Sequence, residues 1–167
     1  MNQLSLSSTS TGCGGILESL SGVTKIQIAD VEWIDQFPEI IIAHKYQTDV
    51  TFLPTFGWLD ITPIVNSASY DDNGKHKNGV LFSVACSLDI AGDTAEKSTF
   101  INDIVRKCIV AKIHFKNGTK KLIGDFGLIS NPVLPTSKSS IGSKASDPNL
   151  HTINLDWITA DKPYFID

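Results

Sequence analysis

The chain has 167 residues, of which 41% are hydrophobic and 19% are charged, and its formal net charge at pH 7 is −4. The length is typical of a single globular domain. The hydrophobic content is too high for a wholly disordered chain. The acidic balance and the scattered lysines and arginines argue against a general nucleic-acid binder. We therefore expect no sequence-specific nucleic-acid binding.

No part of the sequence has the length and apolarity of a membrane-spanning helix, which needs about 20 apolar residues, so we expect no membrane contact. The first 15 residues are polar and lack the apolar segment of a signal peptide, so export is not expected. Of the three cysteines, Cys86 and Cys108 both fall on predicted apolar faces. We therefore expect buried, free thiols in a reducing compartment.

Residues 1–22 are small, polar and rich in glycine, without periodicity, which predicts a flexible N-terminal arm. A single β-rich domain is expected to follow over residues 23–167. Its first part contains short strand candidates at residues 24–29, 40–43, 49–53 and 58–64. Residues 66–79 contain almost no apolar side chains, which predicts a long loop or the tip of a protruding hairpin.

The clearest pattern begins at residue 80. Apolar residues alternate with others over residues 80–90, which predicts a strand with one buried face. After Gly92, a helix with one apolar stripe is predicted, with Asp93 as its N-cap, Glu96 three residues later, and Arg106 and Lys107 in its last turn. The stripe consists of Phe100, Ile101, Ile104, Val105 and Cys108.

A hairpin is predicted next. Residues 109–115 alternate again, and Asn117-Gly118 is the sequence favoured in a type I′ turn, in which both central residues need positive φ. The returning strand is expected over residues 122–126, with the lysines at 120 and 121 keeping an exposed strand end soluble.

A second long loop is predicted over residues 130–149, which are rich in proline and serine. The last strand, over residues 151–158, places Ile153, Leu155 and Trp157 on one face. Six to eight strands and one helix predict a mainly β protein of the α+β type. The expected architecture is a β-sandwich or a partly closed barrel with one flanking helix.

No motif in the sequence carries recognisable chemistry, so we predict no catalytic residue, no cofactor, no metal site and no enzyme activity. Asp125-Phe126-Gly127 spells a kinase triplet, but the other kinase motifs are missing. The histidines lie on separate elements and have no metal-ligand spacing. They are His44, His76, His114 and His151.

The tryptophans divide into two kinds. Trp157 is in register with a buried face and is expected in the core. Trp33 and Trp58 lie near strand ends, where either a core or a contact-surface position fits. An exposed aromatic pair beside polar loops would also suit a carbohydrate-binding surface.

Several segments together resemble small structural proteins of tailed phages and prophages, especially those of Bacteroidetes hosts. The segments are Gly12-Cys13-Gly14-Gly15-Ile16 followed by residues 24–30, Asn117-Gly118 leading into Leu122-Ile123-Gly124, the Pro/Ser-rich linker, and a late strand from Asn149 to Leu155. The expected architecture is also similar to that of tail-tube proteins, in which arms and long loops bridge neighbouring subunits.

This resemblance implies a non-enzymatic, self-assembling virion protein without a cofactor. The implied partners are further copies in a homo-oligomeric ring or tube and other virion proteins. The implied location is the virion, and the host cytoplasm during assembly. A soluble β-sandwich binding module for carbohydrate or protein is the alternative.

Overall fold

The computed structural model describes residues 22–39, 41–76, 80–92, 94–125, 132–140 and 149–166. The predicted arm therefore lies outside the described residues, apart from Gly22. The one α-helix described is α1 (Ala95–Val105). The strands are β1 (Val23–Asp30), β2 (Ile34–Gln36), β3 (Ile41–Ile42), β4 (Lys45–Tyr46), β5 (Thr51–Phe52), β6 (Leu59–Ile61), β7 (Ser69–His76), β8 (Val80–Ala91), β9 (Ile109–Phe115), β10 (Lys120–Ile123), β11 (Leu134–Ser140), β12 (Leu150–Thr159) and β13 (Phe165–Ile166).

These strands form three sheets. The largest has the order β3-β4-β13-β10-β9-β1-β6, the second has the order β11-β12-β8-β7, and the third pairs β2 with β5. All pairings are antiparallel except that of β13 with β4. The prediction of a mainly β fold with one helix is confirmed. The described residues form no closed barrel, and the thirteen strands exceed the predicted six to eight because several of them are only two or three residues long.

The seven-stranded and four-stranded sheets pack face to face around one core. Alternate residues of β8 and β12 point into it, as the sequence pattern predicts, and Trp157 is among them. The helix adds Ile101 and Ile104, both buried. The largest fully buried side chains of this core include Ile26, Leu88, Ile113, Ile153 and Leu155.

A second, smaller cluster covers the opposite face of the seven-stranded sheet. Its buried members are Ile34, Val50, Val110, Leu122 and Ile166. Strand β9 is therefore covered on both faces, which explains why its residues 109–113 are all buried. Lys112 is one of them, and its ammonium pairs with the carboxylate of Asp49 at 2.6 Å.

The start and end of the helix differ from the prediction. Thr94 is the N-cap, and its hydroxyl accepts a hydrogen bond from the Lys97 N–H at 3.3 Å. Asp93, the predicted N-cap, lies outside the described residues. The helix ends at Val105, so Lys107 lies beyond the last turn, where its ammonium pairs with buried Asp30 at 2.7 Å.

The two cysteines of the predicted apolar faces also differ from each other. Cys86 is buried on β8, as expected. Cys108 is exposed, because the helical stripe stops three residues before it. The expectation of a buried thiol at this position is wrong.

The two predicted long loops contain strands. Residues 69–76 form β7, which pairs with β8 along its whole length, so of the two expectations for residues 66–79 the hairpin is the closer. Residues 134–140 form β11, paired with β12, while residues 141–148 lie outside the described part of the chain. Both strands lie at sheet edges with one face in solvent, so their sequences can be polar. Backbone pairing with the neighbouring strand holds each of them in the sheet without an apolar pattern.

The predicted hairpin between β9 and β10 is present, but its turn is of another type. The Gly118 N–H donates to Phe115 O at 3.0 Å, and Gly118 has φ 83° while Asn117 does not have a positive φ. This is a three-residue loop with its glycine in the left-handed region, not a type I′ turn. The chain does place two consecutive positive φ values in the two-residue loop between β3 and β4, at Ala43 (50°) and His44 (63°).

Candidate functional site

The most distinctive surface of the molecule is the four-stranded sheet. Its central strands are long, with 12 residues in β8 and 10 in β12. One face packs on the core and the other faces solvent. Among the described residues, β11 and β7 each pair with a strand of this sheet on one side only, so they form its two edges. Helix α1 lies against β11, and Val133, just before β11, pairs with Ile109 of β9, whereas no described strand pairs with the outer side of β7.

The outer face of this sheet carries mostly short polar side chains. Carboxylates at Asp71, Asp89 and Asp156 and the ammonium of Lys138 are spread over it, and the Thr152 hydroxyl donates to Asp89 at 2.6 Å. The short side chains are Ser69, Asn73, Ser83, Ala85, Ser87, Thr136, Thr152 and Asn154. Exposed apolar residues on the same face are Leu81, Leu134 and Ile158. The result is a broad, low-relief polar surface.

A cleft of about 670 Å³ runs along the open edge of β7. Five consecutive residues of β7, 69–73, line one wall. Because consecutive strand residues point to opposite faces, a wall built from all five includes the backbone edge of the strand. The other lining residues are Gly22, Val23, Ala68, Phe115, Asn117, Thr119, Lys121 and Phe165.

An ion-pair cluster is centred on Asp72 in this cleft. Its carboxylate accepts from the Lys121 ammonium at 2.6 Å and from the Tyr70 hydroxyl at 3.4 Å, and it lies 3.4 Å from the Lys162 ammonium. The Lys121 ammonium also lies 5.0 Å from the centre of the Tyr70 ring and 5.4 Å from that of Phe165. The cluster thus ties β7 of one sheet to β10 and β13 of the other.

The electrostatics of the cluster follow from these contacts. Burial alone would raise the pKa of Asp72, but the hydrogen bond and charge of Lys121, helped by Lys162, outweigh it and hold that pKa below its usual value. Burial and the neighbouring Asp72 carboxylate raise the pKa of Tyr70. At neutral pH Asp72 is therefore ionised and paired, while Tyr70 is a neutral donor.

Sequence reasoning did not identify this cluster. Lys121 is predicted to keep an exposed strand end soluble, yet its side chain is only 12% exposed. The neighbouring aspartates Asp71 and Asp72 are visible in the sequence, but Lys121, the partner of Asp72, lies 49 residues away along the chain. Only the packing of the two sheets brings the two groups together.

The histidines occupy separate positions. The His114 ring lies 2.7 Å from Gln27 Oε1, and burial, followed by nearby lysines, lowers the pKa of His114. His151 is buried, with Nδ1 2.9 Å from the Ser139 hydroxyl. His44 Nε2 is buried and has no hydrogen-bond partner among the described residues, and the centre of the His44 ring lies 4.6 Å from that of Tyr164.

His76 lies on β7, and nothing is described of its side chain. Among the described residues, no three or more histidine, cysteine or acidic side chains converge to hold a metal. The absence of a metal and of catalytic residues stays a prediction.

Trp33 and Trp58 each have their own aromatic and lysine neighbours. Trp58 packs edge-on against Phe52 at 5.3 Å and belongs to the second cluster, with the Lys112 ammonium 4.9 Å from its ring. The Trp33 ring stacks on Phe56 at 5.3 Å, and Phe56 is 48% exposed. Both rings are partly buried: Trp58 packs against the second cluster, and Trp33 stacks on an exposed ring.

Comparison with known proteins does not extend this description: no family model, no curated protein and no solved structure matches the chain. The helix described in the structure is too short and too polar to cross a membrane. The resemblance to phage structural proteins rests on the sequence segments given above.

Proposed function

We propose that this protein is a non-enzymatic structural subunit that assembles with copies of itself into a ring or tube, in the manner of the tail-tube proteins that its sequence resembles. The observation that carries the proposal is the four-stranded antiparallel sheet, whose edge strand β7 has no strand partner on its outer side among the described residues. The corresponding locations are the virion and the host cytoplasm during assembly, and other virion proteins are the further partners.

The even number of strands matters for assembly. Each neighbouring pair in the order β11-β12-β8-β7 is antiparallel, so the two edge strands run in opposite directions. A second copy placed beside the first in the same orientation therefore brings its β11 antiparallel to the first copy's β7. Repeated around an axis, this heterologous contact closes a ring and covers the outer side of β7.

The outer face of the sheet supports the same proposal. In such a ring the outer faces join into one continuous surface of mostly short polar side chains. Each copy adds three carboxylates (Asp71, Asp89 and Asp156), one ammonium (Lys138) and three exposed apolar side chains (Leu81, Leu134 and Ile158). Carboxylates repel the phosphates of nucleic acid. A surface of this kind suits a channel along which DNA passes without binding.

The proposal is tested by light scattering and electron microscopy of the purified protein from micromolar to millimolar concentration. Rings or short tubes that appear with rising concentration are expected. Leu134→Lys places a charge on the solvent-facing side of the edge strand β11 and should weaken assembly. Ile158→Lys is the matched control, because Ile158 lies on the same face of a central strand and is similarly exposed, at 61% against 63%.

Strictly monomeric behaviour at millimolar concentration would overturn the proposal and favour the binding-module alternative. One observation supports that alternative: the cleft beside β7 combines the rings of Tyr70, Phe115 and Phe165 with amide, hydroxyl and carboxylate groups. Aromatic rings beside polar side chains suit a carbohydrate or peptide ligand. A glycan array probed with the labelled monomer would then be the next measurement.

A further inference from the structure

We propose that residues 16–21 add to the outer side of β7 in the same molecule as an antiparallel strand. This segment directly precedes the described part of the chain, which begins at Gly22. The cleft beside β7 is then the docking site of the chain's own N-terminal segment. Pairing within one molecule does not rest on the proposed self-assembly, although both use the same strand edge.

The first observation is the place where the chain enters the cleft. Gly22 and Val23 both line it. The Lys116 N–H donates to Gly22 O at 2.9 Å, and the Lys116 ammonium lies 3.2 Å from Asn66 Oδ1, three residues before β7. A segment that ends there and lies along β7 runs antiparallel to it. Because the segment is joined directly to the wall of its site, its effective concentration there is high.

The backbone of β7 supplies the groups that an added strand needs. Asp89 directs its N–H to the Ser67 hydroxyl and its C=O to the Ile64 N–H, so these groups point toward the β7 side of β8. In an antiparallel ladder, alternate residues point to alternate neighbours. Carried along the β7–β8 pairing, this alternation joins the odd-numbered residues of β7 to β8 and turns residues 70, 72 and 74 outward. No described strand pairs with these outward groups.

The cleft also offers apolar cover. The Tyr70 ring packs edge-on against that of Phe115, with centroids 5.2 Å apart, and both side chains are only partly buried. Residues 16–21 read Ile-Leu-Glu-Ser-Leu-Ser, without glycine or proline. With Leu20 opposite Tyr70, Ile16 and Leu20 both face the cleft, because the side chains of a strand alternate. Their apolar area then covers the exposed parts of the rings.

The same register places Glu18 opposite Asp72. The Asp72 carboxylate lies 2.6 Å from the Lys121 ammonium and 3.4 Å from that of Lys162, whose side chain is 48% exposed. These contacts set two ammonium groups beside one carboxylate, and Glu18 supplies a second. A shift by one residue would turn Glu18 and Leu20 toward solvent, and a shift by two would set Leu20 against the Asp72 carboxylate or beyond the start of β7.

Residue-resolved amide exchange of the dilute protein tests the pairing. The N–H groups of Tyr70 and Asp72 point outward, so they exchange slowly only when a strand covers them. Those of Asp71 and Asn73 bond to β8 and serve as internal controls. All four should be slow in the 167-residue chain. Deletion of residues 2–20 should abolish the protection of Tyr70 and Asp72 and leave that of Asp71 and Asn73.

Two proline variants test the register. In the proposed register the Glu18 N–H points to β7 and the Ser19 N–H points to solvent. Glu18→Pro should therefore abolish the protection of Tyr70 and Asp72. Ser19→Pro is the matched control and should keep it, because proline is tolerated where its nitrogen faces an open edge. Equal loss in the two variants, or a larger loss with Ser19→Pro, overturns the register.

Protein concentration separates pairing within one molecule from pairing between copies. Protection that arises within one chain does not change with concentration. Protection of Tyr70 and Asp72 that appears only as the concentration rises would show that a second copy covers β7, and it overturns the proposal. Fast exchange of both groups in the dilute 167-residue chain overturns it as well.

The consequence for assembly rests on the proposed function. In the proposed ring, β11 of the next copy takes the same side of β7, so the segment has to leave first. Glu18→Pro should therefore lower the concentration of half-assembly measured by light scattering, and Ser19→Pro should not. Equal half-assembly concentrations would overturn this consequence.

The two proposals fail in different ways. A protein that stays monomeric in every variant, with Tyr70 and Asp72 protected, overturns the ring and supports the docking of the segment. Rings formed by a protein whose Tyr70 and Asp72 exchange fast when dilute overturn the docking and support the ring.

Discussion

The buried lysine on β9 offers the sharpest test of what holds the fold together. Lys112 is 3% exposed. Its ammonium lies 2.6 Å from Asp49 Oδ2 and 4.9 Å from the centre of the Trp58 ring. At 2.6 Å the Coulomb attraction is about 6 kcal/mol with an effective dielectric constant of about 20, and desolvation of a buried ion opposes it by several kcal/mol.

Two substitutions of this pair should therefore differ in effect. Asp49→Asn removes the negative charge beside the buried Lys112 ammonium and leaves a neutral amide oxygen as the acceptor, together with the ring of Trp58. Loss of one partner of a fully buried pair costs about 3–5 kcal/mol. Asp49 is 48% exposed, so water replaces part of the lost interaction and we expect a loss of about 2 kcal/mol. Lys112→Met removes the charge and its desolvation together, and we expect a change within about 1 kcal/mol.

The assay is urea unfolding followed by tryptophan fluorescence, with the free energy of unfolding compared between variants. Asp60→Asn is the control, because the Lys25–Asp60 pair has the same 2.6 Å separation with side chains 35% and 54% exposed. An exposed pair contributes less than about 1 kcal/mol. Equal losses for Asp49→Asn and Asp60→Asn, or a larger loss for Lys112→Met than for Asp49→Asn, would refute this reasoning.

Three further predictions concern other parts of the molecule. The folded-state pKa of Asp72 lies below its unfolded value of 3.8. The stabilisation of the folded state by the ionised carboxylate is therefore present above about pH 4 and is lost as the pH falls through the folded pKa. Asp72→Asn should flatten the acid limb of a plot of unfolding free energy against pH. Combining Ala43→Asn with His44→Gly should raise the unfolding free energy by about 1 kcal/mol, since both residues have positive φ. Ile104→Asp buries a charge under the helix and should cost several kcal/mol.

Each of these has an outcome that contradicts it. An unchanged acid limb in the Asp72→Asn variant would show that the carboxylate is not stabilised by its lysines. A lower thermal midpoint for the turn variant would mean that the His44 side chain contributes more than the backbone strain costs. For the helix, exposed Asn102→Asp is the control and should be nearly silent; equal effects at residues 102 and 104 would refute the helical register.

The local patterns of this sequence determine the elements that bury one face. Alternation over residues 80–90 and 151–158 identifies the two long central strands, because a strand with one buried face repeats every two residues. The apolar stripe identifies the helix and its buried residues Ile101 and Ile104, because a helix with one buried face repeats its apolar residues about every 3.6 positions. Asn117-Gly118 identifies the hairpin, although its turn type depends on backbone geometry that two residues do not determine.

Only the tertiary structure decided where the polar segments lie and which charges are buried. Strands β7 and β11 have no apolar alternation that would identify them in the sequence. Backbone hydrogen bonds to β8 and β12 hold them at the edges of the sheet. Lys112 and Lys121 look like surface lysines in the sequence, but carboxylates 63 and 49 residues away neutralise them inside the fold. Pairing over such distances depends on how the sheets stack, and the candidate cleft arises from that stacking.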